Sequence, residues 1–156
     1  MSHVTLIRHG QANSGANDEA NYDKLSVLGH KQASWLGQHL RNTNQNHTRL
    51  YTGTLQRQID TAKAMKTGIT AIRDARLNEL EYFTLASALE AEHGVPIPVG
   101  QANFSTHLPQ VFKAWEEGII EGAPETFQSF EARVRDILTE ITIGKGAALV
   151  VTSGGL

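Results

Sequence analysis

The 156 residues are 40% hydrophobic and 19% charged, enough apolar material for one globular domain, 1–156, with a core of its own. A formal net charge of −2 gives no overall basic field for nucleic acid or a membrane surface, so any anion binding has to be local. No cysteine means no disulfide, thiol nucleophile or thiolate metal site, which fits a cytoplasmic setting, and no apolar stretch approaches the ~20 residues that span a bilayer.

Residues 3–8 (HVTLIR) read as a short apolar strand that exits through Arg8-His9-Gly10. A helix is predicted over 27–41, with Leu28, Leu36 and Leu40 in one row, Trp35 packed beside it, and Gly29 in the first turn where glycine costs little. A second strand, 48–53 (TRLYTG), leads into a helix over 54–66 with Leu55, Ile59, Ala62 and Met65 on one face. The third strand is 69–73 (ITAIR). Residues 80–125 interrupt the alternation with Pro96, Pro98, Pro109 and Pro124 and two predicted helices, 84–93 and 105–118. They read as an insertion, with Trp115 as a packing residue. The next helix, 127–142, has the cleanest pattern: Phe127, Phe130, Val134, Ile137, Leu138 and Ile141, with Thr126 as N-cap. The last strand, 147–152 (AALVVT), is almost continuously apolar, as burial on both faces requires.

This order predicts an α/β fold, a three-layer α/β/α sandwich with a mostly parallel central sheet. The largely helical insertion, about 80–125, lies over the C-terminal ends of the strands. In such sheets ligands collect at those ends. Four groups of polar residues meet there: Arg8-His9-Gly10, Thr52-Gly53-Thr54 with Arg57, Leu77-Asn78-Glu79, and Ser153-Gly154-Gly155.

The chemistry of that rim suits a phosphoryl group. Its charge is spread over peripheral oxygens, and Arg8 and Arg57 supply forked donors for them. Arg57 falls in the first turn of its helix, where free backbone N–H groups also favour an anion. His9 between the arginines is a candidate nucleophile, because a neutral imidazole carries a free lone pair. Glu79 is the acid placed to protonate a leaving alkoxide, with Glu81, two residues on, as the alternative. His3, His30, His39, His47, His93 and His107 are scattered and read as structural or exposed. No His/Asp/Glu spacing suggests a metal site.

LIRHG at the first strand end resembles the signature of the histidine phosphatase superfamily, the phosphoglycerate mutase-like fold. LSVLGHKQASWLGQHL (25–40), LYTGTLQRQIDTA (50–62), ARLNELEYF (75–83) and PETFQSFEARV (124–134) are similar, in order, to further segments of that family. The resemblance implies a nucleophile at His9 that becomes phosphohistidine, a phosphate clamp of Arg8 and Arg57, and Glu79 as acid and then base. It implies no metal and no cofactor.

Two positions depart from the family pattern. Ser153 stands where the family carries a second histidine against the phosphoryl group, and a charge-assisted bond of ~1.5–3 kcal/mol is thereby exchanged for a neutral one of ~1. The expected cost is about ten-fold or more in rate. Gly15 stands where the family often has asparagine, with Asn13 out of register. The chain stops just after its last strand, where the family continues with a helix, so a C-terminal segment is expected to be missing.

The expectation is therefore a metal-independent phosphomonoester phosphatase acting on a phosphorylated small molecule. The alternatives are a phosphoglycerate-mutase-type phosphotransferase and a turnover-deficient phosphate-binding sensor or scaffold. Residues 80–125 carry Lys113 as their single Lys or Arg, which favours hydrolysis over a mutase.

Overall fold

Runs rich in valine, leucine and isoleucine form β1 (Val4–Arg8) and β4 (Ala148–Thr152), and the shorter, more polar segments RLYT and AIR form β2 (Arg49–Thr52) and β3 (Ala71–Arg73). They come from a computed structural model that describes residues 2–100 and 103–156; residues 101 and 102, within the predicted insertion, lie outside the described residues. The sheet order is β1-β4-β2-β3 and every pairing is parallel. All five residues of β4, the strand between β1 and β2, are buried, because helices cover both of its faces.

The helices are α1 (Glu19–Tyr22), α2 (Val27–Asn42), α3 (Gln56–Met65), α4 (Tyr82–His93), α5 (Phe104–Glu116) and α6 (Phe127–Ile143), with a 3-10 turn at Ala75–Leu77. α2 and α3 close one face of the sheet around Ala33, Ala62, Met65, Leu149 and Val151. α6 closes the other, setting Ile137 and Ile141 on Ala148 and Val150. Thr126 caps α6 as expected, accepting from the Ser129 N–H. α4 and α5 form a third cluster in which Trp115 is buried against Phe127 and Phe130 of α6. Leu156, just beyond β4, packs against that cluster, so the insertion does lie over the strand ends.

Leu36 and Leu40 of the predicted leucine row pack on the core of α2 and α3, but the closest contacts of α2 run through smaller residues. Trp35 is 58% exposed and Leu28 42%, whereas Gly29, Ala33 and Gly37 are buried at i, i+4 spacing. A Cβ on Gly37 would stand 1.9 Å from the Met65 carbonyl oxygen, and one on Gly29 would stand 2.2 Å from that of Gln11. The helix thus approaches its neighbours along a row of small residues, which turns Trp35 outward. Gly29 is a close-approach glycine rather than a cheap one.

Candidate active site

The parallel hydrogen bonding of β1 and β4 runs one residue past β1, where the His9 N–H donates to the carbonyl of Thr152, the last residue of β4, at 2.8 Å. This sets His9 beside Ser153. Gly10 turns the chain against α2, where a Cβ would sit 2.3 Å from the Gly29 carbonyl oxygen, and its N–H donates to Thr61 Oγ1 at 3.0 Å.

His9 is 6% exposed, with Nδ1 2.7 Å from the Gly10 carbonyl. A carbonyl only accepts, so the proton sits on Nδ1 and the unprotonated Nε2 faces the rim. Burial pushes the His9 pKa below 6.5; the Gly10 carbonyl opposes this and the Arg57 charge adds to it. The neutral ring is therefore favoured.

Arg57, 2% exposed, organises the rest. Its Nε donates to His9 Nε2 at 3.3 Å, Nη1 to Asp23 Oδ1 at 3.1 Å and Nη2 to Glu79 Oε2 at 3.0 Å. The Tyr22 ring lies under the guanidinium, 4.8 Å from Cζ. Glu79 sits on a loop held from beneath by Arg133, whose Nη1 donates to the Arg76 and Asn78 carbonyls at 2.9 and 2.7 Å. Between the two candidate acids the geometry separates clearly: Glu79 faces Arg57, while Glu81 is exposed at the start of α4.

One fork thus brings His9, Arg57 and Glu79 together. Ser153, 5% exposed, is beside His9, and its Oγ accepts from Gln58 Nε2 at 3.0 Å. Arg8 is exposed and lies along Gly154, with its Nε 3.3 Å from the position of a Gly154 Cβ. Among the described residues it makes no side-chain hydrogen bond.

The backbone N–H groups at the start of α3 are not free. Those of Gln56 and Arg57 donate to Asp23 Oδ2 and Oδ1 at 2.8 and 2.9 Å. An anion site built on that helix end is therefore excluded by a carboxylate already there. Sequence reasoning does not single out Asp23, Gln58 or Tyr22. One signal exists: Leu55 occupies the N-cap position of α3 and has no side-chain acceptor, so the cap has to come from elsewhere in the chain.

The other histidines lie outside this fork. His107 is buried against Tyr82 in the insertion, His3 and His47 meet edge-to-face, and His30, His39 and His93 are exposed. Among the described residues no group of three His, Cys, Asp or Glu could hold a metal ion, and no helix is long and apolar enough to cross a membrane.

The family model of the histidine phosphatase superfamily (branch 1) matches residues 4–156. The chain belongs to that superfamily. Solved structures of similar fold include a mycobacterial glucosyl-3-phosphoglycerate phosphatase in complex with VO3. It is 24% identical, with TM-score 0.61, over 96% of this chain and 75% of that one. An Escherichia coli K-12 protein proposed to be an alpha-ribazole-5'-P phosphatase is 22% identical, with TM-score 0.66, over 96% and 72%. A Thermus thermophilus protein is 20% identical, with TM-score 0.62, over 97% and 78%. At these identities the likeness is one of fold. No curated protein matches the chain.

Proposed function

We propose that this histidine phosphatase superfamily member hydrolyses a phosphomonoester of a small molecule through a phosphohistidine at His9. Nε2 attacks phosphorus, the ester P–O bond breaks, and Glu79 gives its proton to the leaving alkoxide. Glu79 then takes a proton from water, which attacks the same phosphorus. The P–N bond breaks, releasing inorganic phosphate and the neutral imidazole. Arg57 holds the phosphoryl oxygens, turning its Nε from the Nε2 lone pair to an oxygen as attack begins. Arg8 draws in the dianion from the exposed side, and Ser153 donates one neutral hydrogen bond. No step calls on a metal.

The observation that carries this reading is the His9–Arg57–Glu79 fork: a nucleophile with its proton locked on Nδ1, a cation, and an acid 3.0 Å from that cation. Complexes of the mycobacterial phosphatase with VO3 and with inorganic phosphate are consistent with a phosphate-sized ligand. Hydrolysis is favoured over a mutase because Lys113, the one Lys or Arg of residues 80–125, is exposed and pairs with Glu117. Ser153 favours the second reading, a phosphate-binding protein with little turnover.

Hydrolysis of an aryl phosphate in the presence of a chelator separates these. Activity that resists the chelator and disappears in His9→Ala supports the phosphatase. Phosphate binding without turnover supports the second reading.

A further inference from the structure

Gln58 follows Arg57 on α3 and is fully buried, at 0% exposure. Its Nε2 donates to Ser153 Oγ at 3.0 Å and to the Leu77 carbonyl at 3.3 Å. That carbonyl also receives Thr152 Oγ1 at 2.7 Å, and Leu77 is two residues before Glu79. The amide therefore links three pieces of the rim: the helix bearing Arg57, the loop bearing Glu79, and the end of β4. The end of β2 gives it room, since a Cβ on Gly53 would stand 1.9 Å from Gln58 Oε1.

A core amide is an expensive choice here. Gln58 Oε1 has no hydrogen-bond partner among the described residues, and an unpaired buried carbonyl costs stability that an apolar side chain of equal size would avoid. What the amide supplies, and a methionine would not, is its pair of donated bonds.

The bond to Ser153 has a directional consequence. A hydroxyl has one donor and two acceptor positions. Gln58 fills an acceptor position, so the Ser153 proton points away from the amide and is available to another acceptor. We infer that Gln58 is a positioning residue that makes Ser153 an aimed donor to the phosphoryl oxygens, the two forming one neutral unit where related proteins carry a histidine. The inference rests on the phosphate site of the proposed function. It adds that an imidazole at position 153 has to compete with the Gln58 amide for space.

The test compares the parent protein, Gln58→Met, Ser153→Ala and the double variant. Orthovanadate dissociation constants are measured by calorimetry, with kcat and KM for an aryl phosphate alongside. Each single variant is expected to weaken vanadate about five-fold, the worth of one neutral hydrogen bond, and to lower kcat more than it raises KM. The double variant is expected to be no worse than either single one. Ser153→His is expected to lose activity alone and to recover it when combined with Gln58→Ala. Should Gln58→Met fail to fold, Gln58→Glu keeps the shape, replaces the donor by an acceptor and carries the same expectation. Unchanged vanadate affinity in the Gln58 variant, or losses that multiply in the double variant, overturn the inference. A parent that binds vanadate without turnover defeats the hydrolase reading alone, whereas one that binds no vanadate defeats both.

Discussion

Asp23 grips Arg57 twice, accepting from its backbone N–H at 2.9 Å and from Nη1 at 3.1 Å through the same carboxylate oxygen. The other oxygen accepts from the Gln56 N–H at 2.8 Å, so one side chain caps α3 and aims its arginine. Four residues earlier, Glu19 Oε1 accepts from the Phe83 N–H at 2.8 Å, in the first turn of α4. The short segment around α1 thus ties down the two helices that flank the rim, with Tyr22 between them under Arg57.

Asp23→Asn keeps the shape and removes the charge, leaving a single oxygen for three donors. Urea unfolding is expected to show a loss of about 1–3 kcal/mol, the range for a lost cap and a half-broken partly buried pair. The aryl phosphatase rate is expected to fall by about ten-fold or more as Arg57 loses its alignment. A stable variant with an unchanged rate would mean that Glu79 and Tyr22 suffice to hold the guanidinium.

The depressed His9 pKa is directly measurable. Its folded value lies below 6.5, set first by burial, so the unfolded chain takes up the proton more readily. This contribution to stability is complete above pH 6.5 and is lost as pH falls from 6.5 to the folded value. An NMR titration of the His9 ring is expected to give a midpoint under 6.5. A midpoint at or above it would contradict a desolvated neutral imidazole.

Within the insertion, Tyr82 Oη and His107 Nδ1 are 2.7 Å apart, and the buried His107 Nε2 has no hydrogen-bond partner among the described residues. Tyr82→Phe leaves both ring nitrogens unpaired, at an expected cost of about 1–3 kcal/mol in a denaturant titration. Burial also lowers the His107 pKa, so its contribution too is present above pH 6.5 and lost on acidification. A neutral effect of Tyr82→Phe would show that the ring relaxes to another partner.

Gly37→Ala inverts a usual sign. In an exposed helix interior this change gains roughly 1 kcal/mol. Here the new methyl meets the Met65 carbonyl at 1.9 Å, so thermal unfolding is expected to show a loss of about 1–3 kcal/mol. A rise in Tm would mean that α2 and α3 can separate freely.

Which parts could be read from sequence follows from the kind of signal each carried. β4 and α6 were legible because apolar runs and 3.6-residue periodicity report burial directly, and Thr126 marked the start of α6. The rim was legible because His9, Arg57, Glu79 and Ser153 all follow strand ends, so the order of elements alone brought them together. α2 was legible in part: Leu36 and Leu40 of its leucine row pack on the core, but its closest contacts run through the small row Gly29, Ala33 and Gly37, which leaves Leu28 and Trp35 outside. Asp23 and Gln58 escaped because their partners are remote in sequence: Asp23 serves a helix that starts at residue 56, and Gln58 meets Ser153 across 95 positions. α1, at four residues, is too short to show any period.

Covalent chemistry at His9 is tested by trapping the phosphorylated intermediate. The protein would be mixed with a radiolabelled phosphomonoester, quenched, and the label mapped, using Glu79→Gln to slow breakdown of the intermediate. Label is expected on His9, stable in base, labile in acid and absent from His9→Ala. Turnover of the ester without label on His9, or label on another residue, would contradict that chemistry.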